Sequence, residues 1–246
     1  MDKKRGQMTV FILIGLVIFV FALLFYLVAV SSQVANEDKP AYEESVFDVN
    51  PVRVYLADCF RDLSNRGLSF IGGQGGYYLL PDEGVYAFYY SGGRAEPSLE
   101  EIELQLSYYL EDLAYSCLSG IRSYGFEINE GKPSAEAFIK ESRVDINLDP
   151  DLIVNREGYS KKLERFSINI KDIRFYDIYM AAGEILSEIE KDPETICTSC
   201  ITDIAEKHNL KISSHLIGGK KVLFRIKHRV KESSYPYTFK FLVELK

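Results

Sequence analysis

Four cysteines and two histidines are the residues whose types and spacing could carry chemistry in this chain. Cys59 and Cys117 stand far apart, whereas Cys197 and Cys200 form the motif Cys-Thr-Ser-Cys. Four cysteines allow three disulfide connectivities. Pairing Cys59 with Cys117 and Cys197 with Cys200 is the first choice, and the other pairings stay open. Near a helix N-terminus "CTSC" also admits a redox role, because the helix dipole lowers a thiol's pKa there. A thioredoxin-like site needs a strand leading straight into the motif, and the preceding element here reads as another helix closed by "KDPE". Cys197, Cys200, His208 and His215 give C-x2-C-x7-H-x6-H, which departs from the common zinc-finger spacing. His208 also suits a helix end, and His215 suits a strand. The cysteines are therefore expected to be structural, and no metal or cofactor is expected.

Hydrolytic chemistry finds no motif: there is neither G-x-S-x-G nor H-E-x-x-H. Four of the five residues from Gly72 to Gly76 are glycines. Phosphate-cradling loops run from a strand into a helix, and this one runs the other way. The cluster instead marks a turn that needs positive φ or close approach.

The sharper signal is a surface. Alternation in "KKVLFRIKHRVK" puts Lys221, Arg225, Lys227, Arg229 and Lys231 on one strand face, opposite Val222, Phe224 and Ile226. A basic sheet face on an acidic chain could meet an acidic neighbour copy, a glycan polyanion or lipid headgroups. Tyr77, Tyr78, Tyr86, Tyr89 and Tyr90 alternate poorly, so some of these rings are expected on the surface.

These residues need elements to position them. "NPVRVYLADCFRDLSNRG" predicts a helix capped at Asn50, with Pro51 in its first turn and Gly67 as its stop, and with Cys59 facing inward. Strands are predicted around "YYLL" and "VYAFYY". The stretch "PSLEEIELQLSYYLEDLAYSCLSGI" predicts a helix opened by a Ser98/Glu101 capping box, its stripe running through Leu99, Ile102, Leu106, Tyr109, Leu110, Leu113, Cys117 and Ile121. Val144, Ile146 and Leu148 alternate in one strand, and Phe166, Ile168 and Ile170 in another. A further helix is expected to bury Ile173, Tyr176, Met180, Gly183, Leu186 and Ile189, and Asp192 and Pro193 to cap the next one. A hairpin turning at Gly218 and Gly219, plus a last strand "YTFKFLVEL", closes the chain. The order of elements is an α+β pattern.

The first forty residues bear on location. From Met8 to Val30 only Thr9 and Gly15 interrupt an apolar run of 23 residues. As a helix it reaches roughly 35 Å, enough to span a bilayer. Lys3, Lys4 and Arg5 precede it, and such flanks stay cytoplasmic. The rest of the chain, with 26 basic and 35 acidic residues, is then extracytoplasmic at a net charge of −9. Four cysteines fit an oxidising exterior, and the acidic balance argues against nucleic acid as a partner. The expected organisation is a cytoplasmic segment 1–7, a transmembrane helix 8–30, a linker 31–49 and an extracytoplasmic α+β domain 50–246, with a possible sub-boundary near 125–140.

The junction "KKRGQ" before the apolar run resembles the class III signal of archaeal type IV pilin precursors. That resemblance implies cleavage between Gly6 and Gln7 and pilin-like export. Phe11 stands where a bacterial-type pilin has its glutamate, and Pro40 breaks the long helix of a filament core. Across most of the chain, "GLSFIGGQGGYYLLP", "PSLEEIELQL", "DPETICTSC" and "YTFKFLVEL" resemble a set of uncharacterised membrane-anchored surface proteins of small-genome archaea. The resemblance implies location and two cysteine pairs, and no reaction. The expected function is a non-enzymatic structural, assembly or adhesion role at the cell surface. Its expected partners are membrane lipid and other copies of the chain or other envelope proteins. The alternatives are an extracytoplasmic thiol-disulfide or metal-dependent enzyme, and a subunit of a larger envelope complex.

Overall fold

The computed structural model describes residues 19–20, 47–80, 87–90, 92–228 and 237–246. The chain divides between Asp48 and Val49 into two compact units, and all elements named below belong to the second, Val49–Lys246. Apart from Phe19 and Val20, the expected span 8–30 lies outside the described residues, as does the Gly6/Gln7 junction. Among the described residues no helix is long and apolar enough to cross a membrane.

The domain is α+β. Helix α1 (Asn50–Gly73) is followed by strands β1 (Ala87–Tyr90) and β2 (Gly93–Arg94), then by α2 (Leu99–Leu113), the short α3 (Tyr115–Leu118) and a 3-10 turn. Six strands come next: β3 (Glu127–Glu130), β4 (Ser134–Ile139), β5 (Val144–Asp149), β6 (Leu152–Arg156), β7 (Tyr159–Lys162) and β8 (Phe166–Ile170). Helices α4 (Phe175–Lys191) and α5 (Thr198–Lys207) lead to β9 (Leu210–Gly218), β10 (Lys221–His228) and β11 (Thr238–Glu244).

The strands form three sheets, ordered β2-β1-β11-β10-β9, β3-β6-β7 and β4-β5-β8. All pairings are antiparallel except β1 with β11. Inside the five-stranded sheet, alternation buries Val222, Phe224, Ile226, Phe239, Phe241 and Val243. Phe241 is the hub: its ring lies 4.7 Å from Phe88 and 5.1 Å from Phe224 between centroids. Phe175 brings α4 onto this layer, 5.7 Å from Phe239.

Helix α1 runs six residues past Gly67, which does not stop it. Gly67 instead permits close helix packing, since an added Cβ would come within 2.7 Å of the Tyr109 ring on α2. The helix ends where Gly75 and Gly76 take φ of 74° and 97°, as a left-handed exit favours. Tyr77–Leu80 form no strand. The Gln105 side-chain oxygen on α2 accepts hydrogen bonds from the N–H groups of Tyr78 and Leu79 at 2.9 and 2.8 Å, so no strand neighbour takes them.

Ser98 caps α2 as expected, accepting from the Glu101 N–H. Leu113, expected in its buried stripe, is exposed. The same helix seals the edge of β4. Glu103, Ser107 and Glu111 accept from the N–H groups of Ile139, Ala137 and Ala135 at 2.6, 3.1 and 3.0 Å. Four helical residues rise about 6 Å and two strand residues about 6.6 Å, so side chains at i, i+4 and i+8 match alternate strand amides.

Two further expectations are corrected. Helix α4 buries Phe175, Ile178, Ala181, Ala182, Ile185, Leu186 and Ile189, while Met180 is exposed and Tyr176 and Gly183 are half-buried. Its buried stripe is set by Phe175, which anchors on the sheet, and by two alanines that let the backbone approach. Asp192 and Pro193 do not cap α5. The Asp192 carboxylate accepts from the Thr195 hydroxyl at 2.6 Å and the Glu194 N–H at 3.3 Å, closing a separate turn. The helix begins only at Thr198, with Cys197 as its N-cap.

Candidate functional site

The two disulfides are Cys59–Cys117 and Cys197–Cys200. The first ties α1 to α3 across 58 positions, with Cys117 fully buried and Cys59 half-buried. The second closes a loop of only three positions and is exposed at Cys197. There Sγ of Cys197 accepts the N–H of Cys200 at 3.2 Å, satisfying one of the orphan amides at the start of α5.

The zinc ligand set is not assembled. Both sulfurs of the motif are used in the disulfide, and Nε2 of His208 lies 3.0 Å from Oε1 of Glu184, which also takes Lys207 at 2.7 Å. Although burial pushes the Glu184 carboxyl up, these two partners hold it below the usual carboxylate range. His215 stands exposed on β9. Among the described residues no group of three or more His, Cys, Asp or Glu could hold a metal ion.

Of the expected basic face, Lys221, Arg225 and Lys227 lie on the side of β10 opposite the buried Val222, Phe224 and Ile226. Arg229 and Lys231 fall outside the described residues. Strand register adds two cations that the β10 sequence alone could not supply: Lys240 of β11 stands opposite Arg225, and Lys211 of β9 opposite Lys227. At the other end Lys221 faces Glu244. Like charges directly opposite across a ladder are destabilising by roughly 0.2–1 kcal/mol. Here two such pairs stand side by side, and among the described residues no carboxylate pairs with Lys211, Arg225, Lys227 or Lys240.

The last turn of α1 flanks this face, and an open cavity of about 410 Å³ there is lined by Ser69, Gly73, Arg225, Lys227, Thr238 and Lys240. Three cations and two hydroxyls therefore surround it. Nε of Arg225 is buried and has no hydrogen-bond partner among the described residues. The helix end offers only about half a negative charge against three positive ones, and the Ile71 and Gly72 carbonyls are already taken by the N–H groups of Gln74, Gly75 and Gly76.

His228 ends β10 and accepts the backbone N–H of Arg174 at 3.1 Å through Nε2. Burial holds its imidazole below the ordinary value, and the Arg174 guanidinium acts the same way against the opposing Asp177. A depressed base is neutral in the fold while the unfolded chain takes up a proton first. Stability is thus fully present above pH 6.5 and falls as the pH drops below it. Thermal unfolding followed from pH 7.5 to 5.5 should show this decline, and His228→Gln should flatten it. The Glu184 contribution is lost in a separate window, as pH falls through its lowered carboxylate pKa.

One edge of the five-stranded sheet is open among the described residues. Among the described residues β9 pairs only with β10, and no hydrogen bond reaches the outward-turned backbone of Ile212, Ser214 or Leu216 from beyond the sheet. Leu216 and Ile217 are 69% and 55% exposed on it. No family model, no curated protein and no solved structure matches the chain.

Proposed function

We propose that the chain is a membrane-anchored extracytoplasmic surface protein with a non-enzymatic assembly role, and that its domain pairs with a second copy through β9. The open edge of β9 is the observation that carries this reading. Proteins blunt long edges with charge, proline, bulges or a covering element. Helix α2 covers β4 in this way, and β2 is only two residues long. Strand β9 has nine residues, a single charge at Lys211 and two adjacent exposed aliphatic residues. Paired antiparallel with itself about Ser214, it sets Ile212 opposite Leu216 and Ser213 opposite His215, with no like charges opposed. The Cys59–Cys117 bond supports an oxidising exterior, and the positively flanked apolar run supports the anchor.

Light scattering of the full chain in a non-ionic detergent tests the reading. The wild type should be dimeric, and Ser214→Pro, which removes an amide and stiffens the edge, should be monomeric with an unchanged Tm. A monomeric wild type, or a dimer that survives the proline, would sink it.

A second reading, extracytoplasmic thiol-disulfide exchange, is favoured by the exposed Cys197–Cys200 bond at a helix N-terminus. A partner dithiol would be oxidised as this bond is reduced, with Cys197 the sulfur first attacked. Exchange with a model dithiol that is lost in Cys197→Ser would support it, and exchange unchanged by that variant would exclude it.

A further inference from the structure

We propose that the cavity between the last turn of α1 and the outward faces of β10 and β11 binds an oxyanion, phosphate or sulfate, carried on a sugar-sized polar body. Three observations converge there. Arg225 and Lys240 are directly opposed cross-strand cations, with Lys227 next on the same face, and none has a carboxylate partner among the described residues. A fold keeps opposed like charges at a cost in stability, and a bound anion turns that repulsion into attraction from both sides. The Nε of Arg225 is a buried charged donor without an acceptor among the described residues, and the guanidinium edge it belongs to is the one that meets oxyanions in bidentate fashion. The cavity is also larger than a bare tetrahedral anion needs, at about 410 Å³. Its remaining wall is hydroxyl and backbone: Ser69, Thr238 and Gly73. An added Cβ on Gly73 would meet nothing within 4 Å, so the wall beside the cations is open. Cations on one side and neutral donors and acceptors on the other suit a charged group attached to a polyhydroxylated body rather than an acyl chain.

The site is independent of the anchor and of β9 pairing, so Ser214→Pro should keep its ligand response. The test uses the full chain in a non-ionic detergent, with thermal shift and calorimetric titration against inorganic phosphate, inorganic sulfate, a hexose phosphate and vesicles of anionic phospholipid, all at an ionic strength matched with chloride. The hexose phosphate should bind at least tenfold tighter than inorganic phosphate. Loss of one charge-assisted contact in Lys240→Gln or Arg225→Gln should weaken it by roughly ten- to a hundredfold. Because Lys240→Gln also removes an opposed cation, its ligand-free Tm should equal or exceed that of the wild type, which separates a lost site from a damaged fold. The proposal is overturned by a shift no larger than matched chloride gives, by undiminished binding in Lys240→Gln, or by binding to vesicles without binding to the soluble anions. Inorganic phosphate binding as tightly as hexose phosphate would overturn the sugar-sized body.

Discussion

Replacing Cys59 and Cys117 together with alanine should lower the stability of the domain by about 4 kcal/mol, the chain-entropy value for a closed loop of this length. For a domain of this size that corresponds to a fall in Tm of roughly 8–16 °C. The bond constrains the unfolded chain across 58 positions, from α1 to α3, and Cys117 sits where nothing else would fill its volume without repacking. The paired variant Cys197→Ala with Cys200→Ala is the control. Its loop is so short that the same model gives about 2 kcal/mol or less. Calorimetry of the two variants side by side checks the claim. Equal losses would mean that the bridge between the helices is not what braces the fold.

Truncating Phe241 to alanine should cost about 3–5 kcal/mol, the range for removing a fully buried aromatic ring. Its side chain is completely enclosed and touches Phe88 and Phe224 in stacked geometry. It therefore joins β1, β11 and β10 at one point. Lys240 and Leu242 flank it on the opposite face, so the cationic cavity should loosen as well. Urea unfolding followed by tyrosine fluorescence reads the loss, and Phe241→Leu should recover most of it. A cost below about 1 kcal/mol would show that the sheet repacks freely.

The parts that were legible in the sequence are those governed by local periodicity. Val144 to Leu148, Phe166 to Ile170 and Val222 to Ile226 alternate, and each is a strand with those residues buried. The Ser98 cap was equally plain. Strand β4 was missed because its inward residues include Ala135 and Ala137, too small to announce a buried face, and β7 because all four of its residues are exposed. Gly67 and Gly72 read as breakers, yet both allow contact with a tyrosine, Tyr109 and Tyr237 respectively. A glycine's type does not say whether it serves a turn or an approach. The cationic cavity was half visible. Arg225 and Lys227 follow from alternation in one strand, but Lys240, Thr238 and Ser69 join them only through register and helix packing. The open edge of β9 is likewise a property of strand order, which no local pattern encodes.

The parallel pairing of β1 with β11 sets the timetable on which the chain can mature. Ala87 is registered with Leu242, 155 positions later, so the five-stranded sheet cannot close until β11 has been synthesised. Contacts this distant in sequence fold slowly. During that wait the hydrophobic faces of Phe88 and Phe224 have no lid, and the growing chain is open to aggregation. Both ends of the Cys59–Cys117 bond and the α2 clasp on β4 come earlier, between residues 59 and 139. The first half of the domain can thus be locked by oxidation while the second half is still being made, and conditions that delay oxidation should reduce yield more than they reduce the stability of molecules already folded.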